Sequence, residues 1–387
     1  MRDAVIVEAV RTPIGKRNGA LRDWHPADLS AHVLAALADR TGIDPALVDD
    51  VVWGCVSQVG EQTNNIGRTA VLAAGWPESV PGTTVDRQCG SSQQALHFAA
   101  AGVVSGQYDL AVAGGVESMT RIPMGSSVGS GVGFPGGEKV AERYHHVEFN
   151  QGVGAELIAE RWGLSRAQLD EFSLLSHERA AAAIDAGAFV DQIVGVPAKA
   201  EDGSPFLFDA DQGVRRGGTL ETLGKIKPAF KPDGVIHAGN ASQISDGSAA
   251  LLVTTSERAA QLGLRPLVRV HTAVLAGDDP IAMLTAPIPA TAKALAKSGL
   301  KIDEIGAFEV NEAFASVPLA WLAETGADPA ALNPLGGAIA LGHPLGGSGA
   351  QLTTRLVHNM VANRIRYGLQ TMCEGGGTAN ATIFELI

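Results

Sequence analysis

Cysteines, aromatic residues and basic residues are all scarce in this 387-residue sequence. Three cysteines are too few for a disulfide framework and favour a reducing compartment, so we expect a cytoplasmic protein. The 29 Lys and Arg face 41 Asp and Glu, and this acidic balance argues against general binding of nucleic acid. No apolar run has the length of a membrane span, and the first residues lack the pattern of a signal peptide.

Glycine and hydrophobic residues are plentiful: there are 47 glycines, and 45% of the chain is hydrophobic, enough for a large packed interior. Apolar runs alternate with stretches rich in Ala and Leu, which predicts an α/β fold with helices on both faces of its sheets. The predicted strands are Ala4–Val10, Asp50–Cys55, Leu110–Ala113, Gly306–Val310, Leu369–Cys373 and Thr378–Glu385. The predicted helices are Pro26–Thr41, Ser92–Ser105, Pro289–Ser298 and Gly349–Met360.

The middle of the chain, residues 118–235, is richer in Gly, Ser, Pro and charge and predicts an inserted lobe. It contains a loop-like stretch at Ser126–Gly137 and helical stretches at Gly154–Gly163 and Ser165–Ala186. The outer parts repeat one order of strands, helices and glycine turns, which predicts a duplicated α/β unit. We therefore expect a first half over residues 1–117, completed by 236–262, and a second half over 263–387.

Cys89 directly precedes a predicted helix. A helix N-terminus offers unpaired N–H groups and the positive end of a dipole, which lower the pKa of a thiol and activate it as a nucleophile. The alternative is a buried cysteine that acts as a small hydrophobe. Cys55, beside Trp53, is interpreted in that structural way.

His343 lies in a glycine-rich turn, where it can accept a thiol proton and then stabilise an oxyanion. Cys373 ends a predicted strand before Gly375-Gly376-Gly377, so a second thiol can move protons while glycine N–H groups bind an oxyanion. The alternatives are a loop histidine that caps a helix, and two unrelated buried thiols or a redox pair.

Asn311 and Glu312 follow a predicted strand, where the amide can hold a water or a carbonyl; a helix N-cap is the alternative. A basic cluster lies near the small turn Ala241-Ser242 and can bind a phosphorylated ligand, or can simply be a solvated face. We expect no metal site, because no cluster has ligand spacing. The basic cluster comprises Arg215, Arg216, Lys225, Lys227 and Lys231.

Taken together, these segments resemble the thiolase family over essentially the whole chain. The matching segments, in chain order, are EAVRTPIGK, DRQCGSSQQA, GGVESM, IKPAF, AGNASQISDGSA, NEAFA, GGAIALGHPLGGSGA and the Cys-x-Gly of CEGGG. The resemblance implies two similar α/β halves, each with a mixed five-stranded sheet between helices, and a loop lobe inserted in the first. It also implies a homodimer or homotetramer.

The resemblance further implies an acyltransferase that cleaves 3-ketoacyl-CoA with coenzyme A, which is a co-substrate and not a tightly bound cofactor. Cys89 would be the acylated nucleophile, His343 its base, and Cys373 the acid and base for the second substrate. One oxyanion site would use His343 and a water held by Asn311, and the other the N–H groups of Cys89 and Gly375. The residues implied for coenzyme A are Arg215 at its nucleotide, Ser242 and Ala241 at its pantetheine, and Phe230, Ala313 and Phe314 along its tunnel.

Substrate choice is suggested by a departure from the family pattern. Many short-chain biosynthetic thiolases carry His-Met-Gly where this chain has Asn150-Gln151-Gly152. The sequence is more similar to degradative thiolases of actinobacterial type, some of which act on steroid side chains. The alternatives are a biosynthetic acetoacetyl-CoA thiolase, a ketoacyl synthase, and a non-catalytic relative that binds acyl-CoA or sterols.

Overall fold

The computed structural model describes residues 2–128, 131, 133 and 135–387. Part of the predicted loop Ser126–Gly137, namely residues 129, 130, 132 and 134, lies outside the described residues. The strands are β1 Val5–Arg11, β2 Gly15–Lys16, β3 Asp50–Gly54, β4 Gly82–Val85, β5 Leu110–Ser118, β6 Val196–Lys199, β7 Pro205–Phe208, β8 Ser245–Thr254, β9 Val268–Gly277, β10 Ala307–Val310, β11 Tyr367–Glu374 and β12 Thr378–Leu386.

The helices run in the same chain order, interspersed with three short 3-10 turns at Pro45–Leu47, Gly60–Gln62 and Ile302–Glu304. They are α1 Pro26–Thr41, α2 Ile66–Ala73, α3 Ser91–Ser105, α4 Gly137–Arg143, α5 Gln151–Arg161, α6 Arg166–Asp185, α7 Leu220–Gly224, α8 Ser256–Gln261, α9 Pro287–Ser298, α10 Ser316–Thr325, α11 Ala338–Leu341 and α12 Leu345–Asn363. Among the described residues, no helix is both long and apolar enough to cross a membrane.

The main sheet has the order β10-β11-β12-β9-β1-β8-β5-β3-β4 and consists of two similar parts. In the first, β4, β3 and β5 are parallel, and β8 and β1 follow antiparallel. In the second, β10 and β11 are parallel, and β12 and β9 follow antiparallel. A parallel bridge from Phe308 to Leu332 stands where the first part has β4. The predicted duplicated α/β fold is confirmed, with two residue pairs between β1 and β9 joining the parts into one sheet.

Helices α3 and α12 form the central layer, and α12 packs on strands of both sheet parts. Their apolar side chains make a core with Ile6, Val52 and Phe384. Helices α1 and α2 cover the outer face of the first part, and α9 and α10 that of the second. The turns that precede α3 and α12 are therefore brought together at the centre of the molecule.

Glycines allow this close approach, and two predicted boundaries were wrong because of it. Strand β5 continues through Gly114 and Gly115, where the sequence predicted its end, and α12 begins at Leu345 instead of Gly349. A Cβ on Gly115 would lie 2.4 Å from the Gly346 carbonyl oxygen, so the strand and the start of α12 pack backbone to backbone.

Candidate active site

Cys89 occupies a tight turn immediately before α3. Gln88, which precedes it, has a φ of 48°, a left-handed conformation that costs free energy in a residue with a side chain. The Arg87 N–H donates to Ser91 Oγ at 2.9 Å and closes the turn. The Cys89 side chain is 4% exposed and lines a cavity of about 750 Å³. The turn therefore presents the sulfur to a space that can hold a substrate.

The sequence predicted a lowered pKa for Cys89, and this prediction is wrong for the protein without substrate. Burial raises its pKa to about 12, and the nearby Glu374 carboxylate adds to the effect. A hydrogen bond from the Gln151 side chain to the sulfur acts in the opposite direction but is weaker. Loss of water around the sulfur thus outweighs the helix N-terminus, and the resting thiol is protonated at pH 7.

His343 is buried in the turn before α12, and its hydrogen bonds define its tautomer. Ser348 Oγ donates to the Pro344 carbonyl at 2.9 Å, so it accepts from His343 Nδ1–H at 2.6 Å. Nε2 therefore carries a lone pair, and Asn311 Nδ2 lies 3.4 Å from it. Burial lowers the pKa of His343 to about 4, which keeps the ring neutral and available as a base.

Asn311 follows β10 and is 2% exposed. Its backbone N–H donates to the Thr371 carbonyl at 3.1 Å, which fixes the residue beside β11. Its Oδ1 is buried and accepts no hydrogen bond from the described residues. A buried amide oxygen of this kind fits a water or a substrate donor, in agreement with the role that the resemblance implies.

Cys373 is the penultimate residue of β11 and is 1% exposed. Burial raises its pKa far above that of a free thiol, and the second cause is the charge of Cys89, so the two sulfurs are close enough to interact. Gly375 follows in the β11–β12 turn, where its Cβ would lie 3.0 Å from Gln88 Oε1. In the described part of the chain, no backbone carbonyl accepts from the N–H of Cys89 or Gly375.

Five of the six residues implied for coenzyme A lie together. Ser242 N–H donates to the Ala313 carbonyl at 2.9 Å, and Ala241 forms a bridge with Phe314. The rings of Phe230 and Phe314 pack edge to face with centroids 5.9 Å apart. These residues form one wall of small and aromatic side chains, to which an extended apolar chain can bind.

Arg215 is exposed, and its backbone N–H donates to His177 Nδ1. It lines a pocket with Gly239, two residues before Ala241 of that wall. Among the described residues, its guanidinium makes no ion pair or hydrogen bond. Three of the other four members of the expected basic cluster pair with acidic residues of α5, α6 and α7, as they would on a solvated charged face. The pairs are Arg216–Asp185, Lys225–Glu221 and Lys231–Glu160.

Sequence reasoning missed Glu117, a fully buried carboxyl near the end of β5. It accepts from the N–H groups of Val56, Ser57 and Gly346 and from the Gln62 amide. Glu117 thus ties the loop after β3 to the start of α12, next to His343. Its one signal in the sequence was an acidic residue inside an otherwise apolar strand. Glu312, the residue after Asn311, binds Ser176, Asn333 and the Ile339 N–H.

Comparison with known proteins identifies the class. Residues 4–257 match the N-terminal domain of thiolase, and residues 264–386 match the C-terminal domain. The chain therefore belongs to the thiolase family and is an acyltransferase.

Particular relatives cover nearly the whole chain. It is 51% identical over 391 residues to the steroid 3-ketoacyl-CoA thiolase FadA6 of Mycobacterium tuberculosis, covering 100% of this chain and 94% of the relative. It is 43% identical over 393 residues to the 3-ketoacyl-CoA thiolase of Pseudoalteromonas translucida, with full coverage of both. The 3-ketoacyl-CoA thiolase of Chromohalobacter salexigens is 44% identical over 390 residues, covering 99% of this chain and 98% of the relative.

Proposed function

We propose that this thiolase degrades 3-ketoacyl-CoA with a bulky acyl group, of the size of a steroid side chain or larger, and that Cys89, His343 and Cys373 carry out the reaction. The observation that supports these roles most directly is that the three segments meet: Cys89 packs in one buried cluster with Leu345, two residues after His343, and with Met372, which precedes Cys373. The similarity to a steroid 3-ketoacyl-CoA thiolase supports the substrate class.

The first step forms a bond between Cys89 Sγ and the 3-keto carbon of the substrate, while the thiol proton moves to His343 Nε2. Because the pKa of Cys89 is about 12 and that of His343 about 4, charge separation is unfavourable before the substrate binds. Proton transfer therefore accompanies attack and is driven by stabilisation of the oxyanion that forms on the substrate. His343 and a water on Asn311 are one oxyanion site, and the N–H groups of Cys89 and Gly375 are the other.

The second step breaks the bond between C2 and C3 and leaves the shortened acyl group on Cys89. The departing acetyl-CoA enolate takes the proton of the Cys373 thiol. Cys373 thiolate then removes the proton of incoming coenzyme A, whose sulfur attacks the acyl-Cys89 thioester. The released Cys89 thiolate recovers its proton from His343, so both products leave and the enzyme returns to its neutral state.

The cavity beside Cys89 supports a bulky acyl group. Its volume of about 750 Å³ lies in the range that holds drug-sized ligands, far beyond a two-carbon chain. Its lining combines apolar and polar side chains: Val56, Met124, Val128, Pro135 and Leu345 are apolar, and Ser57, Asp86, Gln88, Ser127 and Gln151 are polar. The apolar part of the lining favours a hydrocarbon framework, and Gln151 offers a polar contact to the Cys89 sulfur.

Further proposals follow from the resemblance. Arg215 would contact the nucleotide of coenzyme A, while Phe230, Ala241, Ser242, Ala313 and Phe314 would line its pantetheine tunnel. We propose a homodimer or homotetramer, the division into two halves with a lobe over 118–235, and a cytoplasmic location. Three free cysteines support a reducing compartment.

The experiment is intact-protein mass spectrometry after mixing with 3-ketoacyl-CoAs, from acetoacetyl-CoA to steroid side-chain thioesters, without free coenzyme A. We expect an adduct of the shortened acyl group on Cys89, greatest for the bulky substrates. Cys89→Ala should lose the adduct and thiolysis, whereas Cys55→Ala, a matched change of another buried cysteine, should keep both. Trapping of acetoacetyl-CoA alone would favour the biosynthetic alternative, and thiolysis by Cys89→Ala would contradict the assignment of the nucleophile.

A further inference from the structure

Glu374 is a buried carboxyl beside both active-site thiols, and the mechanism above assigns it no role. It directly follows Cys373, and its side chain reaches the backbone after Cys89. A Cβ on Gly90 would lie only 1.9 Å from Glu374 Oε1, so the carboxyl packs directly against the Cys89 turn. Glu374 therefore connects the two segments that carry the thiols.

The surroundings of Glu374 contain a buried oxygen atom to which a protonated carboxyl could donate a hydrogen bond. Oε1 accepts from the Asn380 N–H at 3.1 Å, and Oε2 accepts from the Thr378 hydroxyl at 2.8 Å. Asn380 Oδ1 is buried, has no donor among the described residues, and would lie 2.8 Å from the same Gly90 Cβ position.

The orientation of the Asn380 amide is fixed, because its Nδ2 lies 3.1 Å from His97 Nδ1 and 3.2 Å from Gln94 Oε1. Its oxygen therefore lies beside the same Gly90 position as Glu374 Oε1. A protonated Glu374 supplies the donor that this oxygen lacks, whereas an ionised one would place two acceptors side by side.

Burial places the ionisation of this carboxyl near neutral pH. Burial raises the pKa of Glu374 to about 7, although the positive charge of Arg87 acts to lower it. The ionised carboxylate in turn raises the pKa of both Cys89 and Cys373. His97, beyond Asn380, contributes no charge at this pH because burial lowers its pKa to about 3.

We propose that Glu374 is a positioning residue whose neutral form holds the Cys89 turn against the β11–β12 hairpin and whose ionised form suppresses the Cys89 thiolate. The inference rests on the proposed role of Cys89 as the nucleophile. At an effective dielectric constant near 20, a neighbouring charge shifts a pKa by about one unit or more, which changes a thiolate population about tenfold.

The test measures alkylation of Cys89 by iodoacetamide between pH 6 and 9.5, with peptide mass spectrometry to separate the three cysteines. In the wild type, the logarithm of the rate should rise with pH, flatten just above pH 7 as Glu374 ionises, and then rise again. In Glu374→Gln the logarithm of the rate should rise without flattening. The rate itself should equal that of the wild type at pH 6 and be about tenfold faster at pH 8.5. Cys55 in the same samples reports any opening of the fold.

A second variant keeps the carboxyl. Thr378→Val removes the hydroxyl that stabilises the carboxylate, so the flattened region should move to higher pH. Parallel rate profiles for wild type and Glu374→Gln, separated by one factor at every pH, would reduce Glu374 to a structural residue and overturn the proposal. A flattened region at the same pH in Thr378→Val as in the wild type would also overturn the proposal. Because alkylation requires no turnover, these outcomes are distinct from thiolysis by Cys89→Ala, which would contradict the proposed function.

Discussion

The two sheet parts share one topology but supply different chemistry to the site. In each, the chain passes from the edge of the sheet through a turn into a central helix and then into a buried strand. The turn before α3 carries Cys89, and the turn before α12 carries His343. Duplication therefore brought two helix N-termini together, and divergence made one turn a candidate nucleophile and the other a candidate base.

The strands that follow the central helices show a second difference. Both β5 and β11 end near a buried glutamate, and burial raises the pKa of each. Glu117 in β5 accepts four hydrogen bonds that reach from the loop after β3 to α12. Glu374 in β11 accepts two, both from β12. A carboxyl surrounded by donors is suited to hold the two parts together, while one with few donors is free to exchange a proton.

The largest effect should come from the thiol at the end of β11, for which β5 has no counterpart. We expect Cys373→Ser to lower kcat about 10³-fold, because an alcohol is a far weaker acid than a thiol and exchanges protons poorly with an enolate or with coenzyme A. Steady-state release of acetyl-CoA measures this change.

The same variant separates the roles of the two thiols. Mass spectrometry should still find a slowly formed acyl group on Cys89, because His343 is the proposed base of that step. Complete loss of acylation in Cys373→Ser, with the fold intact by circular dichroism, would show that the roles of the two cysteines have been assigned wrongly.

The next prediction compares how much each of the two glutamates contributes to the free energy of unfolding. Glu117→Gln should lower the free energy of unfolding by about 3 kcal/mol, because its new NH₂ group must face N–H donors that the carboxylate oxygens accept. Glu374→Gln should cost less than about 1 kcal/mol at pH 6, because the amide replaces a neutral acid of the same shape. Urea unfolding of the two variants measures the difference, and equal losses would remove the distinction between the two carboxyls.

The sequence was sufficient to predict the features that depend on local pattern. Alternating runs predicted the duplicated fold, and glycine-flanked turns singled out Cys89, His343 and Cys373. It was insufficient where contacts join distant segments, as for Asn311 on His343 or Glu117 on Gly346. The pKa of Cys89 was predicted in the wrong direction because a helix N-terminus is visible in sequence but burial is not. The ion pairs of Arg216 and Lys231 were hidden for a similar reason, since Asp185 and Glu160 lie far from them in the sequence.

The smallest effect concerns two buried histidines, one in each part of the molecule. His97 in α3 and His343 before α12 both have pKa values far below that of a free histidine because burial disfavours the charged ring. His343 faces the site, whereas His97 lies within hydrogen-bond distance of Thr382 and Asn380 in the core. His343 is a candidate base, whereas His97 is a structural residue. Burial disfavours the charged form of both to a similar degree.

His97 should therefore make the fold sensitive to acid without affecting the chemistry. Because its folded pKa is about 3 and its unfolded value about 6.5, the unfolded chain binds more protons between these values, and stability falls as pH drops through this window. At pH 5, His97→Gln should remove about 2 kcal/mol of the acid-induced loss seen in wild type between pH 7.5 and pH 5, measured by urea unfolding. His343→Gln should flatten the same dependence but also abolish acylation, whereas His97→Gln should acylate at the wild-type rate. If His97→Gln leaves the pH dependence of unfolding unchanged, this histidine is already protonated in the fold and the electrostatic parallel between the two parts fails.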